Sequence, residues 1–263
     1  MVIISTFNEK MYQATGKAML ETADTYLPDA KKIVYGELET KIDYETIDVC
    51  SIGEFKTVFE QNKDVIMEEF GGAAKVPPGQ DKSFNIRWFG WFRKIVMFHH
   101  AICEAKHDDY VLFIDSDTRF IDTFTDDFVA DITQGKPVCY FKGTRPVIES
   151  GFVIVNGRDP NAAKFYKTFM DQYLSKEFRS FSRWDDSMGM QQAVKKCPAD
   201  WFLDFANNKS VKIHKNANGY VTGGQVICQT PWNKYVEHDK GIHWKQDVVP
   251  HTGMHDPGST RKA

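Results

Sequence analysis

The sequence predicts an α/β fold, in which a mostly parallel central sheet is flanked by helices within a single domain. The chain of 263 residues opens with the order strand, helix, strand, strand, helix that is typical of α/β domains. The wholly apolar run Tyr110–Ile114 is typical of a strand in the middle of a parallel sheet. A hydrophobic content of 42% is enough for a sizeable core and excludes a disordered chain.

The first part of the chain is predicted to contain three strands and three helices. Short apolar runs indicate strands at residues 2–6, 32–36 and 45–49. Helix formers fill 9–25 and Pro28 follows, so we expect a helix that ends before the proline. Ser51 and Glu54 have the spacing of a capping box, which predicts a helix with Ser51 as its N-cap. Apolar residues fall on one side of a long helical pattern over 85–105.

The second part of the chain continues the alternation after the strand at 110–114. Strands are predicted at 137–142 and 151–155, and helices at 160–176 and 185–196. The pattern weakens from Pro198 onward, where short strands and loops are expected. The loop 71–80, which precedes the helical pattern 85–105, is rich in glycine and proline, and we expect it to be mobile.

Charge and cysteine usage exclude several classes of protein. A formal net charge of -3 gives no general attraction to nucleic acid or to an anionic membrane. The 5 cysteines are far apart and form no C-x-x-C pair, which argues against a disulfide framework and a structural zinc site. We find neither a signal peptide pattern nor an apolar stretch of membrane-spanning length, so a soluble, cytoplasmic protein is expected.

An acidic triplet, Asp115-Ser116-Asp117, directly follows the apolar strand. Ligands of open α/β sheets bind beyond the carboxyl ends of the strands. Two carboxylates one residue apart can there reach one hard cation, Mn²⁺ or Mg²⁺, which would neutralise a departing diphosphate. The alternative is an acidic turn in which Asp115 or Asp117 only caps the next segment.

The segment around this triplet, VLFIDSDTRF, resembles the D-x-D strand of the GT-A glycosyltransferases, which use nucleotide sugars. The resemblance implies a Rossmann-like sheet and places Asp115, Ser116 and Asp117 at the donor and its metal. The opening segment 2–8 is similar to the family's first strand, whose loop holds the nucleotide. This implies that Thr6 and Asn8 contact the nucleotide.

Two further segments continue the resemblance in the family's order. Arg93 and Lys94 lie on the helix before the D-x-D strand, where related enzymes carry basic residues near the nucleotide. The run 149–156, ESGFVIVN, is similar to the segment that lies along the donor sugar, which implies contacts from Glu149 and Gly151. The alternatives are a solvated helix face for the basic pair and a simple turn for the glycine.

Asp185 and Asp186 look like the acidic pair that faces the reacting sugar at the start of a helix in many GT-A enzymes. One of them is expected to cap the helix. By the family's pattern the other, Asp186, would be the general base of an inverting enzyme or a positioning group of a retaining one. The sequence leaves the stereochemistry open.

A late histidine completes the metal site in some enzymes of this kind. The candidates are His238, His243, His251 and His255. His251 is preferred because it follows the most strand-like run, although no copy has the Lys-Pro-Trp ending of the family's motif. An ordinary surface or core position is the alternative for each histidine.

Aromatic residues offer possible stacking surfaces. The segment 84–94, FNIRWFGWFRK, interleaves aromatic and basic residues, and we interpret it as a core-facing helix rather than a stacking surface. Trp184 and Trp201 are possible platforms for an acceptor sugar.

The sequence therefore predicts a metal-dependent glycosyltransferase that uses a nucleotide diphosphate sugar, a UDP-sugar by resemblance. One domain, 1–263, would comprise a nucleotide-sugar half, 1–118, and an acceptor half with a C-terminal tail, 119–263. The acceptor could be a glycan, a lipid-linked sugar, a protein or a small molecule. A glycosyltransferase acting on modified DNA bases is an alternative that the net charge of -3 disfavours.

Two other classes stay open. Phosphohydrolases of the haloacid-dehalogenase type also place two aspartates one residue apart after an apolar strand. Their motif has Thr or Val where this chain has Arg119, and it usually lies on the first strand rather than in mid-chain. A sugar or nucleotide binder without turnover is the third class, which the presence of Asp115, Asp117 and Asp186 disfavours.

Overall fold

The structure is a computed structural model that describes residues 1–65, 88–107, 109–143, 147–206 and 231–238. Its strands in chain order are β1 (Val2–Thr6), β2 (Lys31–Tyr35), β3 (Glu45–Ile47), β4 (Tyr110–Ile114), β5 (Thr118–Phe120), β6 (Val138–Phe141), β7 (Glu149–Asn156), β8 (Phe202–Asp204) and β9 (Val236–His238). Its helices are α1 (Glu9–Met11), α2 (Lys17–Tyr26), α3 (Gly53–Gln61), α4 (Trp88–His99), α5 (Asp126–Thr133), α6 (Pro160–Leu174) and α7 (Asp186–Lys195). A π-helical segment, Tyr12–Gly16, joins α1 to α2, and a second one, His100–Glu104, extends α4.

Seven strands form one sheet in the order β3-β2-β1-β4-β7-β6-β8. All are parallel except β7, which is antiparallel to both of its neighbours, β4 and β6. The expected mostly parallel α/β sheet is confirmed. A separate two-stranded ribbon pairs β5 with β9 in antiparallel register. Strands from both predicted halves of the chain take part in the large sheet.

The core consists of two apolar layers, one on each face of the sheet. Alternate side chains of β4 enter opposite layers because successive residues of a strand point to opposite faces. Val111 and Phe113 pack in the layer that contains α3, α4, α6 and α7. Leu112 and Ile114 pack in the layer that contains α2 and α5. All four side chains are fully buried, and each such burial stabilises the fold by roughly 1.5–3 kcal/mol.

Most of the elements predicted from sequence are present with end points within a few residues, but the capping box is wrong. Ser51 lies in a 3₁₀ turn, Val49–Ser51, and its hydroxyl donates to the carbonyl of Asp48 at 2.6 Å. Helix α3 begins two residues later without a side-chain cap. The reason lies in Asp48, whose side chain caps the 3₁₀ turn by accepting from the N–H of Cys50. The carbonyl of Asp48 is then a nearby acceptor for the Ser51 hydroxyl, which does not cap α3.

Some expectations concern residues that the structure does not describe. The loop 71–80 and the histidines His243, His251 and His255 are outside the described ranges.

The four cysteines that the structure describes are free thiols, as expected. Within the described residues, no helix is both long and apolar enough to span a membrane.

Gly36 allows the loops after β1 and β2 to approach each other. A Cβ atom at this position would lie 2.1 Å from the backbone oxygen of Phe7. The backbone N–H of Gly36 also donates to the carbonyl of Ile47, and this bond continues the pairing of β2 with β3. The absence of a side chain therefore brings the carboxyl ends of β1, β2 and β3 together.

We predict that Gly36→Ala destabilises the protein by about 3 kcal/mol, the upper part of the usual cost of overpacking, because its new methyl meets backbone that cannot move aside. Urea unfolding followed by circular dichroism measures the change. Gly90→Ala is the matched control, since a Cβ there meets nothing within 4 Å and alanine favours a helix interior. Equal stability of the two variants would contradict the close approach.

Candidate active site

Asp115 follows the last residue of β4 and lies at the edge of the sheet where the parallel strands end. Its backbone N–H donates to the carbonyl of Gly151 at 2.9 Å, and its carbonyl accepts from Thr118 at 3.0 Å. These bonds fix the turn that carries Asp115 and Asp117. The side chain of Asp115 is 20% exposed, and that of Asp117 is half-buried. Both members of the acidic pair therefore stand at the rim of the core.

Lys94 on α4 is the cation of this site. Its Nζ lies 2.5 Å from Asp115 Oδ1 and 3.2 Å from Asp186 Oδ2. The ammonium also lies over the ring of Phe113, 5.3 Å from its centroid. One basic side chain thus connects the carboxylate that follows β4 to the carboxylate at the start of α7.

The charge state of Lys94 is set by two opposing effects. Burial alone would lower its pKa, because the side chain is only 16% exposed. The negative charges of Asp115 and Asp186 outweigh this and raise the pKa above its usual value. Lys94 is consequently an ammonium ion at neutral pH.

Gly151 lies directly against the Asp115 carboxylate. A Cβ atom at Gly151 would be 2.4 Å from Asp115 Oδ2 and 3.1 Å from Glu149 Oε1. Glu149 is buried and accepts the backbone N–H of Gly151 at 3.2 Å. The antiparallel course of β7 brings its first residues to the edge where β4 ends. The segment expected along the donor sugar therefore adjoins the D-x-D turn.

Asp185 and Asp186 have different surroundings. Asp185 is the N-cap of α7, where its Oδ1 accepts from the backbone of Met188 at 2.7 Å and its Oδ2 forms an ion pair with Arg183. Burial and then the charge of Asp186 raise the pKa of Asp185. Asp186 accepts instead from Lys94 and, at 2.8 Å, from the Ser150 hydroxyl. The expectation that one aspartate caps the helix is confirmed, and Asp185 is the cap. The assignment of Asp186 to the reacting sugar stays a prediction.

Three other residues expected to contact the donor, Ser116, Thr6 and Asn8, differ in their exposure and in their hydrogen bonds. Ser116 is buried and its hydroxyl accepts from Thr15 at 3.3 Å, while its expected contact with the donor stays a prediction. Thr6 ends β1 and is 9% exposed. Asn8 is exposed but also caps α1, where its side chain accepts from Met11 at 2.9 Å.

An open cleft of about 810 Å³ lies at the carboxyl ends of β1, β2 and β3. Its lining includes Asn8, Glu9, Gly36, Glu37, Thr46 and Asp48. Neither Lys94 nor Asp115 is among the described lining residues. Arg93 connects the two regions, because its Nε donates to Glu37 at 2.9 Å while the next residue, Lys94, contacts Asp115.

Glu9 stiffens one wall of this cleft. Its carboxylate accepts hydrogen bonds from Gln13, from the hydroxyl and N–H of Thr40 and from the N–H of Glu39. These bonds, with that from Gln13 the largest and those from Thr40 next, lower the pKa of Glu9 to about 2. The loop after β2 is thereby held against the start of α1.

The ribbon of β5 and β9 approaches the acidic turn. Backbone pairing sets His238 opposite Thr118, the residue that follows Asp117. Of the four late histidines, His238 is the one whose backbone lies within the described residues. The preference for His251 stays a prediction.

Two interactions of the site were not predicted from the sequence. Ser150 links Asp186 to Ser187, since its hydroxyl lies 2.9 Å from that of Ser187. Glu37 holds Arg93, and it also accepts from the Cys50 thiol. Ser150 lies in the segment 149–156 but at a position that the motif does not specify, and Glu37 lies outside every motif described above. Both make their contacts through the packing of distant segments.

The aromatic residues serve the core. Trp88, Phe89 and Phe92 of α4 are buried, which confirms the core-facing interpretation for the described part of 84–94. Trp184 is only 1% exposed, so the expectation of an acceptor platform there is wrong. Its ring packs edge-on against Trp88 instead. Trp201 is half-buried beside the ammonium of Lys164.

Comparisons with known proteins address the fold. No family model matches the chain, and no curated protein matches it. The solved apo structure of mouse xyloside xylosyltransferase 1 is similar at 10% identity, with 92% of this chain and 98% of that chain covered and a TM-score of 0.51. The glycosyltransferase GlyE of Streptococcus pneumoniae is similar at 14% identity and a TM-score of 0.42, over 77% of this chain and 44% of that chain. The first likeness supports the expected architecture, so this chain has the GT-A type fold.

We predict that Lys94→Met destabilises the protein by about 3–5 kcal/mol at neutral pH, because two carboxylates lose the cation between them. Since its folded pKa is raised, the stability from Lys94 is fully present below pH 10.5 and is lost as pH rises through the folded value. That loss starts only above pH 10.5, so denaturant unfolding between pH 7 and 10 should give a difference in stability between wild type and variant that does not change with pH. Lys56→Met, at an exposed position of α3, should change stability by less than about 0.5 kcal/mol. Equal effects of the two substitutions would contradict the bridge.

Proposed function

We propose that this chain is a metal-dependent glycosyltransferase that moves a sugar from a nucleotide diphosphate sugar, a UDP-sugar by resemblance, to an acceptor hydroxyl. One observation carries the proposal. Lys94 joins the D-x-D carboxylate Asp115 to Asp186 at the carboxyl edge of the sheet, next to an open cleft. The GT-A type fold adds weight, because ligands of such sheets bind at this edge. Acceptor class and cytoplasmic location stay predictions.

The nucleotide is proposed to occupy the cleft at the ends of β1, β2 and β3. Among the residues that line it, Asn8 offers an exposed amide, Asp48 a carboxylate and Thr46 a hydroxyl. Arg93, held by Glu37, stands between the cleft and the acidic residues, where a diphosphate would need positive charge.

The carboxylates Asp115 and Asp117 suit a hard divalent cation such as Mn²⁺ or Mg²⁺, because these ions prefer oxygen ligands. The partial exposure of both side chains leaves them reachable from the edge of the sheet. A late histidine, His251 by resemblance, is proposed as a further ligand. When bound, the cation would neutralise the negative charge of the departing nucleotide diphosphate.

Asp186 is proposed to face the reacting sugar and the acceptor. Its orientation is fixed by Ser150 and Lys94, and it stands in the first turn of α7, where the helix dipole favours a negative charge. In an inverting reaction it would accept the proton of the acceptor hydroxyl, whereas in a retaining one it would position the donor sugar. Glu149, buried beside Gly151 and Asp115, is proposed to contact the donor sugar.

A thermal-shift screen of nucleotide diphosphates and nucleotide sugars, each with and without Mn²⁺, tests the proposal. We expect one nucleotide to raise the melting temperature only when the metal is present, because a ligand of the native state stabilises it by mass action. Hydrolysis of simple phosphate esters with Mg²⁺, together with no response to any nucleotide, would favour a phosphohydrolase instead.

We predict that Asp117→Asn removes the Mn²⁺-dependent part of the thermal shift and leaves the fold intact. The loss of a carboxylate oxygen weakens binding of a hard cation, whereas the amide preserves the shape of the side chain. Asp122→Asn, at an exposed aspartate beyond β5, is the matched control and should respond as the wild type does. Full Mn²⁺-dependent transfer in the Asp117 variant would sink the metal assignment.

We predict that Asp186→Asn lowers kcat by roughly 10²–10⁴-fold, the range that general acid–base catalysis contributes, if Asp186 accepts the acceptor proton. Steady-state transfer assays on folded protein measure this loss. Asp185→Asn is the comparison, since that residue caps α7 and should lower stability more than turnover. A larger loss of kcat in the Asp185 variant would reverse the two assignments.

A further inference from the structure

A second group of metal-ligating side chains lies where α4 ends, apart from the residues of the proposed active site. His99 Nδ1 is 3.7 Å from Glu54 Oε1 and 3.6 Å from Glu104 Oε1. The three ligand atoms all lie within 4.8 Å of one another. Glu54 comes from the first turn of α3, so the group connects two helices that are distant in sequence.

The π-helical segment His100–Glu104 creates this arrangement. In a regular α-helix, residues five apart point about 140° away from each other round the axis. Here the N–H of Ala105 donates to the carbonyl of His100 at 2.8 Å, a bond that spans five residues. The wider turn brings Glu104 onto the side of the helix that carries His99. Such π-helical turns occur frequently at functional sites.

The Nδ1 atom of His99 is buried and has no hydrogen-bond partner among the described residues. Its distances to the two carboxylates exceed the 2.7–3.2 Å or so of an N–H···O bond. They are close to the separation of about 3.3 Å between ligands that each lie 2.0–2.1 Å from a tetrahedral metal ion. His99 Nδ1 thus lacks the hydrogen bond of a satisfied core histidine and faces two carboxylate oxygens at the spacing of metal ligands.

We propose that Glu54, His99 and Glu104 form a second metal site, which binds a zinc-type divalent transition ion and ties α3 to the end of α4. An imidazole nitrogen with two carboxylates suits Zn²⁺ and its neighbours better than Ca²⁺ or Mg²⁺, which prefer oxygen ligands alone. The site does not depend on the proposed transferase activity.

His100 orients the Glu104 carboxylate from its other side. The Nδ1 of His100 lies 2.9 Å from the Tyr35 hydroxyl, and its Nε2 lies 3.8 Å from Glu104 Oε2. When the Tyr35 hydroxyl donates to Nδ1, the proton of the neutral ring lies on Nε2 and faces the Glu104 carboxylate. Such an outer contact to a ligating carboxylate helps to fix its orientation.

The carboxylates of Glu54 and Glu104 both face the imidazole of His99, and their negative charge would attract a cation. Burial lowers the pKa of His99. Burial, and then the hydrogen bond and charge of Glu54, raise the pKa of Glu104. Lys167, Asp171 and His100 also act on His99.

Zinc titration calorimetry on the full chain tests the site. We expect the wild type to bind one more equivalent of Zn²⁺ than His99→Gln. We also expect Glu104→Gln to weaken that equivalent by more than the roughly 10–100-fold that loss of an outer contact costs. Ligands elsewhere in the chain, including the late histidines, are common to all variants and cancel in the comparison.

Two control variants distinguish this site from other zinc-binding residues of the chain. Glu60→Gln removes an exposed carboxylate from the same helix as Glu54 and should bind zinc as the wild type does. Asp117→Asn disables the other proposed metal site, and in that background the extra equivalent should persist. Glu104 is 41% exposed, so its variant should fold even if the His99 variant does not. An unchanged number of tight sites in Glu104→Gln, Glu54→Gln and folded His99→Gln would overturn the proposal.

Discussion

The candidate active site depends on one ammonium ion held between two carboxylates. Lys94 comes from α4, Asp115 from the end of β4 and Asp186 from the start of α7. Bringing these charges out of water is costly, and the cost is offset only while all three remain in contact. The position of each element is therefore coupled to the other two, and the aromatic packing of α4 against Trp184 and Tyr173 keeps the helix where this contact is possible.

The antiparallel strand of the large sheet, β7, also positions residues at the candidate site. In a sheet with only parallel strands, the first residues of β7 would lie at the edge opposite to Asp115. Its reversed course instead sets Glu149, Ser150 and Gly151 next to the acidic turn. Gly151 then permits a contact that any other residue would block, because the Asp115 carboxylate occupies the place of its Cβ. The direction of β7 and the missing side chain of Gly151 together assemble this side of the candidate site.

Much of the fold was predictable because it follows from local patterns. The strand Tyr110–Ile114 has the predicted bounds, since an apolar run before two aspartates admits few alternatives. The prediction that one aspartate caps α7 rested on equally local chemistry. The features that could not be predicted from sequence depend on tertiary partners. The hydroxyl of Ser51 bonds to Asp48, Ser116 turns inward to Thr15, and Trp184 fills the core, and no sequence spacing reports these neighbours.

The ribbon of β5 and β9 has a consequence for how the protein matures. Trp232 and Val236 fill the layer beneath the acidic turn, and β9 supplies the backbone partners of Thr118 and Phe120. During synthesis, the D-x-D turn therefore leaves the ribosome long before the strand that braces it. A nascent chain that ends ahead of residue 231 would contain all seven strands of its central sheet but would lack the strand that pairs with β5. The chain must be made as far as β9 before the turn at Asp115 and Asp117 acquires its final support.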